Sequence, residues 1–155
     1  MIFLDALFLL IVANGTPVVV AWLLGRRFDY PLDGNRIAGD GRRWLGATKT
    51  VRGILFSILV TALIAMLMGM SWRLGAVFGL LAMLGDLLSS FIKRRLGLAS
   101  SSSSPGLDQL PESLIPLWGC SSLLGLEWRD ILLSALAFLF LHLIFSRLLD
   151  RFAAR

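Results

Sequence analysis

Residues 74–95 read LGAVFGLLAMLGDLLSSFIKRR, an apolar run that holds one carboxylate and two adjacent hydroxyls and ends at three adjacent cations. On a helix of about 3.6 residues per turn, the positions three, four, seven and eight after Asp86 lie on one stripe with it. The stripe contains Gly75, Gly79, Ala82, Asp86, Ser89, Ser90, Lys93 and Arg94. Small residues let a neighbouring helix approach closely, so we expect this stripe to face the interior of a helical bundle.

The chain as a whole is strongly apolar. Of its 155 residues, 57% are hydrophobic and 16% are charged, and the mean hydropathy is +0.80. Soluble domains are about 45–50% apolar and about 25% charged, so the composition predicts a membrane protein. Runs of about 20 apolar residues cross a bilayer as helices, and five runs are present: Ile2–Leu24, 54–70, 74–92, 114–126 and 131–149. We predict an all-α integral membrane protein with five transmembrane helices in one membrane-embedded domain, residues 1–155.

The distribution of cations predicts the orientation. Loop one, residues 25–52, holds seven of the fifteen Lys and Arg residues, and six more lie in 93–95 and near the carboxyl terminus. Only Arg73 and Arg129 fall in the opposite turns. Because Lys and Arg in short loops stay on the cytoplasmic side, we expect the amino terminus outside, the carboxyl terminus inside, and loop one and loop two (residues 93–113) in the cytoplasm. The plasma (inner) membrane is the expected location.

The fourth run is short for a full crossing. It is preceded by Pro111 and contains Pro116, so we expect it to begin as a re-entrant or tilted segment. His142 in the fifth run is the only histidine of the chain, and we expect it to make an interhelical hydrogen bond. With no second histidine, a zinc site has no support.

Asp86 needs a partner, because a carboxylate inside a bilayer costs about 2.5–3.5 kcal/mol. It either pairs with Lys93 or a loop-one cation, or it binds a metal or substrate at the cytoplasmic mouth. Loop two adds Asp108 and Glu112, and Mg²⁺ prefers such carboxylate oxygens. The short connection makes the third and fourth runs neighbours, which would bring Asp86 and Asp108 together.

Loop one carries further groups that could meet phosphates. The glycine-rich and therefore flexible segment 41–52 contains Arg42, Arg43, Lys49, Thr50 and Arg52, and it does not have the spacing of a P-loop. The alternative is simple attraction of the cations to anionic lipid headgroups, worth about 1 kcal/mol each.

Five ordered motifs together resemble the CDP-archaeol synthase family, membrane-embedded CTP-dependent cytidylyltransferases related to phosphatidate cytidylyltransferase. The motifs lie between about residues 13 and 109 and read NGTP (14–17), PLDGN (31–35), DGRRWLG (40–46), KTVRG (49–53) and GDLLSSFIKRRLG (85–97). The resemblance implies that a lipid phosphate attacks the α-phosphate of CTP, which releases pyrophosphate and leaves a CDP-lipid.

The resemblance also implies roles for individual residues. Catalysis would depend on Asp86, Lys93 and Asp108, with Mg²⁺ held by Asp86, Asp108 and Glu112. The groups expected to bind the nucleotide are Lys49, Thr50, Arg52, Ser89, Ser90, Arg94 and Gln109. Pro111 stands where a second aspartate is expected in the family. Either Glu112 replaces that ligand, or the site holds one metal, or catalysis is impaired.

Two other functions remain as alternatives. A CDP-alcohol phosphotransferase would need Asp-Gly-x-x-Ala-Arg, and Asp40-Gly41-Arg42-Arg43 does not continue in that way. A non-catalytic homologue would act as a lipid-binding, transport or structural subunit and would not need a divalent cation. The expected partners are CTP, a membrane lipid phosphate and the bilayer, without nucleic acid. The pair of Gly75 and Gly79 permits helix contact within or between chains, so a homodimer stays open.

Overall fold

The structure, a computed structural model, describes residues 2–99 and 106–153, and of residues 145–153 it describes the backbone alone. Its helices in chain order are α1 (Ile2–Leu24), α2 (Val51–Leu67), α3 (Trp72–Arg95), α4 (Gln109–Gly119), α5 (Ser121–Leu124) and α6 (Trp128–Ala153). Extended structure in the described part is limited to two isolated bridges in loop one. The predicted all-α class is confirmed. The serine run 100–104 lies outside the described residues.

The helices follow the predicted apolar runs with small shifts. The first run has the predicted bounds, and α2, α3 and α6 each begin two or three residues earlier than predicted. By length and composition, α1 and α3 are the two described helices that could cross a membrane, and α2 is a shorter apolar helix. Pro111 and Pro116 both lie within α4, and the expectation that the fourth run begins as a re-entrant or tilted segment stays a prediction. The break comes later, after Gly119, where the four-residue α5 begins. Five complete crossings stay a prediction.

Helix α3 lies between α2 and α4 and contacts both through glycines. A Cβ placed on Gly75 would lie 2.5 Å from Ala65 Cβ of α2, and one placed on Gly85 would overlap the backbone of Pro111 in α4. Only glycine permits these approaches. The stripe therefore faces the bundle interior as predicted, and Gly75 is used for packing within the chain.

A proline in α1 is compensated by a hydroxyl from α2. Pro17 has no N–H, so the carbonyl of Ala13, four residues earlier, has no helical donor. The buried Ser57 hydroxyl donates to that carbonyl at 2.7 Å. The loop-one end of α2 packs against the same proline, since Gly53 lies beside the Pro17 ring. The α1–α2 contact is thus fixed where loop one begins and ends.

We expect Ser57→Ala to destabilise the protein by about 1 kcal/mol, because it leaves a buried carbonyl without a donor. Thermal unfolding in detergent measures the effect. The control is Ser121→Ala, which removes an exposed hydrogen bond from the Ser121 hydroxyl to the carbonyl of Trp118, three residues earlier, at 2.8 Å. Equal unfolding temperatures for the two variants would show that the α1–α2 hydrogen bond contributes nothing.

Candidate functional site

Asp86 is paired with a cation from loop one. The Lys49 ammonium lies 2.5 Å from Asp86 Oδ1 and 2.6 Å from Oδ2, and both side chains are mostly buried. The structure thus shows Asp86 paired with a loop-one cation. Binding of a metal or substrate by Asp86 stays a prediction. The carboxylate presents both oxygens to a single positive charge, which is also how it would bind a metal ion.

A second lysine–aspartate pair lies on the same helix at the same end of the bundle. Lys93 Nζ of α3 is 2.8 Å from Asp108 Oδ1, and both side chains are about nine-tenths buried. Asp108 immediately precedes α4, so this pair joins loop two to α3. The structure therefore brings the third and fourth apolar runs together, as expected from their short connection.

Glu112 completes the group of carboxyls at this end. It lies in the first turn of α4 beside Gly85, next to the Asp86 side chain, and it is buried. Burial raises the pKa of Glu112, and the neighbouring Asp86 carboxylate raises it further. In its protonated form Glu112 shares a hydrogen bond with Asp86. Three carboxyls from two segments are thus gathered within electrostatic reach of one another.

Arg94 brings to the same region a positive charge that has no ion-pair partner among the described residues. Its side chain is about nine-tenths buried, and its Nε has no hydrogen-bond partner among the residues that the structure describes. No described carboxylate forms an ion pair with it. A buried guanidinium nitrogen without an acceptor is costly, so an anionic ligand that supplied one would be stabilised here. We call the following residues the charged cluster: Lys49, Asp86, Lys93, Arg94, Asp108 and Glu112.

Loop one is held together by a buried carboxylate. Asp33 has a side chain that is 1% exposed, and it accepts hydrogen bonds from both sides of the loop. The donors are Asn35 N at 3.1 Å, Leu45 N at 3.2 Å, Gly46 N at 3.1 Å, and Arg43 Nε and Nη2 at 3.1 and 2.5 Å. Burial alone raises the pKa of Asp33, but these hydrogen bonds outweigh it and lower the pKa well below its usual range. Segment 41–52, expected to be flexible from its glycines, is thus tied to Asp33 at Arg43, Leu45 and Gly46.

The ordered loop docks onto the carboxyl end of α3. The Arg42 guanidinium donates to the carbonyl of Arg95 at 2.9 Å, where the helix leaves carbonyls without helical donors. In return, Arg95 donates to the carbonyl of Arg43 at 2.8 Å and pairs with Asp40 at 2.8 Å. Trp44 stacks near Phe91 at 5.8 Å between ring centres. Loop one thus covers the end of α3 that carries the charged cluster.

Two residues predicted to bind nucleotide, Thr50 and Arg52, make contacts within the protein. Arg52 donates to the carbonyls of Gly25 and Arg27 and pairs with Asp29 at 3.1 Å. Thr50 caps α2 by accepting a hydrogen bond from Gly53 N at 3.3 Å. Nucleotide binding by Arg52 and Thr50 stays a prediction.

Three polar side chains of α3 and α4 are also buried near the charged cluster. Gln109 Oε1 accepts a hydrogen bond from Gly106 N at 2.7 Å, so this amide fixes the end of loop two. Ser89 donates to the Asp86 carbonyl one turn earlier at 2.9 Å. Ser90 is buried on the same face of α3. The hydrogen bonds of Gln109 and Ser89 were not predicted from sequence, since hydroxyls and amides bind backbone and phosphate equally well. Nucleotide binding by the three residues stays a prediction.

The donor types in the charged cluster fit magnesium, although its carboxylates face lysines. Among residues 2–99 and 106–144, no three His, Cys, Asp or Glu side chains are gathered closely enough to hold a metal ion as they stand. Asp86, Asp108 and Glu112 nevertheless supply the oxygen ligands that Mg²⁺ prefers, and Mg²⁺ usually takes only one or two from the protein. Lys49 already shows that both oxygens of Asp86 accept one cation.

His142 lies away from the charged cluster. Its side chain is exposed on α6, and its ring is 6.3 Å from that of Phe138 on the same helix. The expected interhelical hydrogen bond is absent among the described residues, so that expectation is wrong.

Comparison with known proteins identifies the family. The family model described as CarS-like: CDP-archaeol synthase matches residues 1–152. The chain belongs to the CDP-archaeol synthase family. A CDP-archaeol synthase of Aeropyrum pernix is 38% identical over 151 residues, which cover 90% of this chain and 83% of the relative. One of Sulfolobus acidocaldarius is 42% identical over 105 residues, which cover 64% of this chain but only 61% of the relative's length.

A solved structure shares the fold. It is an intramembrane enzyme for archaeal membrane lipids biosynthesis, with a TM-score of 0.73 and 36% sequence identity over 92% of this chain and 90% of that one. Together with the apolar helices α1 and α3, this likeness identifies the chain as an integral membrane protein of the CDP-archaeol synthase family. The membrane class predicted from composition is confirmed.

Proposed function

We propose that this protein is a CTP-dependent cytidylyltransferase that converts a membrane lipid phosphate and CTP into a CDP-lipid and pyrophosphate. The observation that carries the proposal is the buried Arg94 guanidinium, which has no described counter-charge and lies on the α3 stripe with the Asp86–Lys49 and Asp108–Lys93 pairs. A polyphosphate is the kind of ligand that would compensate this charge. Membership of the family supports the choice of CTP.

The charged cluster suits the transfer of a nucleotidyl group. An oxygen of the lipid phosphate forms a bond to the α-phosphorus of CTP, and the bond from that phosphorus to the bridging oxygen breaks, so pyrophosphate leaves with the electron pair. Such reactions need alignment and charge neutralisation more than covalent help from the protein. Lys49, Lys93 and Arg94 would neutralise the triphosphate and the leaving group.

The carboxyls have a different task in the proposal. Asp86 and Asp108, with Glu112 as a further ligand, would hold Mg²⁺. Bound Mg²⁺ supplies positive charge to the phosphate oxygens and so favours departure of pyrophosphate. Asp86 and Asp108 already pair with lysines, so the phosphates of the nucleotide would take over the two ammonium groups and leave the two carboxylates able to hold Mg²⁺.

The proposal includes the position of the site in the membrane. The charged cluster lies at the end of the bundle that also carries loop one, where seven of the fifteen Lys and Arg residues occur. The preference of cations for the cytoplasmic side supports a cytoplasmic site, an outside amino terminus and five crossings in the plasma membrane. The lipid tails would stay in the bilayer. The names of the relatives support archaeol phosphate as the lipid.

The proposed reaction is tested with purified protein in detergent, Mg²⁺, CTP labelled at the α-phosphate, and lipid phosphates with either isoprenoid-ether or fatty-acyl tails. We expect α-label in the lipid fraction and an equal amount of pyrophosphate, with the ether lipid preferred, whereas label at the γ-phosphate stays in the aqueous phase. Binding of the lipid phosphates without any labelled lipid would favour the non-catalytic alternative and contradict the proposal.

A further inference from the structure

We propose that Asp33 is a positioning residue, which fixes loop one so that the Lys49 ammonium is held at Asp86. The role of Asp33 in holding Lys49 at Asp86 does not depend on the proposed function. Only the catalytic importance of the Lys49–Asp86 pair rests on it. Asp33 does not belong to the charged cluster, and its side chain is 1% exposed. Its carboxylate oxygens already accept five hydrogen bonds from within loop one, so it is not available to a substrate.

A short series of contacts connects Asp33 to Lys49. Asp33 accepts a hydrogen bond from Gly46 N, and the Gly46 carbonyl accepts one from Lys49 N at 3.4 Å. On the other side, Leu32 N, next to Asp33, donates to the Lys49 carbonyl at 2.7 Å. Both backbone groups of Lys49 are therefore held by residues that Asp33 brings together.

The contacts beyond Lys49 fix the direction of its side chain. Pro31 and Thr50 form an antiparallel bridge, and Val51 N donates to the Tyr30 carbonyl at 3.1 Å where α2 begins. Lys49 thus lies between the segment next to Asp33 and the first residue of α2. From this position its ammonium crosses to Asp86 on α3. Without Asp33, the backbone at Lys49 would keep its link to α2 and lose its link to segment 43–46.

The state of Lys49 can be measured directly, because Lys49 and Lys93 are the only lysines in the sequence. Both are paired with aspartates, so Lys93 is an internal reference for the folded protein. Limited acylation with an amine-reactive ester, followed by mass spectrometry of the peptides, gives the rate at each lysine. A charge-assisted contact stabilises by enough to change a population about tenfold or more.

We expect Asp33→Asn to raise the acylation rate of Lys49 about tenfold and to leave that of Lys93 unchanged within about twofold. Asp40→Asn is the matched control, since it removes another loop-one carboxylate, which pairs with Arg95. That control should leave Lys49 at the wild-type rate. A wild-type rate at Lys49 in Asp33→Asn, or an equal rise at both lysines, would overturn the proposal.

Arg43→Gln keeps the result decisive if Asp33→Asn does not fold. This substitution removes the side-chain partner of Asp33 and retains its three backbone donors, so we expect a smaller rise at Lys49 alone. No rise would overturn the proposal. Acylation of Lys49 does not depend on catalysis. If the protein made no CDP-lipid, the proposed function would be wrong, but the acylation rates would still test the role of Asp33. In an active protein, Asp33→Asn should raise KM for CTP by a larger factor than it lowers kcat.

Discussion

Asp86→Asn is expected to lower kcat/KM for CDP-lipid formation by about 10³-fold or more, with the protein still folded. The substitution keeps the size of the side chain and removes the negative charge that faces Lys49 at 2.5 and 2.6 Å. Without that charge, neither a metal ion nor the lysine would be held in place for the triphosphate. The labelled-CTP assay measures the loss, and gel filtration with thermal unfolding reports the folded state.

The control for Asp86→Asn is Asp29→Asn, which removes a half-exposed loop-one carboxylate paired with Arg52. We expect Asp29→Asn to keep activity close to wild type. Asp108→Asn should behave like Asp86→Asn, because it leaves the buried Lys93 without its partner carboxylate. If Asp86→Asn kept more than about a tenth of wild-type activity, its carboxylate would not have the assigned role.

Arg94→Gln is expected to lower kcat/KM for CTP by about 10²-fold while the unfolding temperature stays equal or rises. The activity falls because the guanidinium would meet the phosphates, and stability does not fall because the buried charge has no described counter-charge to lose. A lower kcat/KM without a lower unfolding temperature is the result expected of a ligand-binding group and not of a structural one. Kinetics at varied CTP concentration and thermal unfolding measure the two quantities.

Arg26→Gln provides the matched comparison for Arg94→Gln. It makes the same change of charge at an exposed position of loop one, and we expect no measurable effect on either quantity. A fall in the unfolding temperature of Arg94→Gln together with unchanged kinetics would mean that Arg94 serves only the fold.

The sequence predicted the helices and the polar face of α3 well, because both depend on local patterns. The bounds of α1 follow from an uninterrupted apolar run, and the spacing from Gly75 to Arg94 placed the polar groups on the interior face. The helix bounds in the fourth apolar run were harder to predict. Prolines are tolerated in the first turn of a helix, so Pro111 does not disturb α4, and the chain instead breaks after Gly119.

The organisation of loop one could not be predicted, since it depends on contacts between residues about ten positions apart. Asp33 meets Arg43 and Gly46 only because several loop residues adopt left-handed backbone conformations, among them Asn35 with φ of 62°. The motif PLDGN, residues 31–35, contains a signal for this arrangement. An Asp side chain in a turn commonly accepts a hydrogen bond from the backbone N–H two residues later, as Asp33 does from Asn35 N.

The contacts that Thr50, Arg52 and Gln109 make within the protein could not be predicted for a different reason. A phosphate oxygen and a backbone carbonyl accept the same hydrogen bonds, so residue type alone does not separate a ligand contact from a scaffold contact. For Thr50 a local clue existed, because a Thr immediately before a helix is a common N-cap. Its hydroxyl oxygen accepts a hydrogen bond from a backbone N–H of the first turn, here that of Gly53. For Arg52 and Gln109 the partners lie in turns whose geometry only the structure reveals.

The central claim is that the Asp86 carboxylate holds a divalent cation together with the nucleotide, and equilibrium dialysis with Mn²⁺ and labelled CTP tests it most directly. We predict that wild-type protein and Asp29→Asn retain CTP and Mn²⁺ together and retain little CTP without metal. Asp86→Asn should retain no more Mn²⁺ with CTP present than without it. Equal retention of Mn²⁺ and CTP by Asp86→Asn and wild type would contradict the claim.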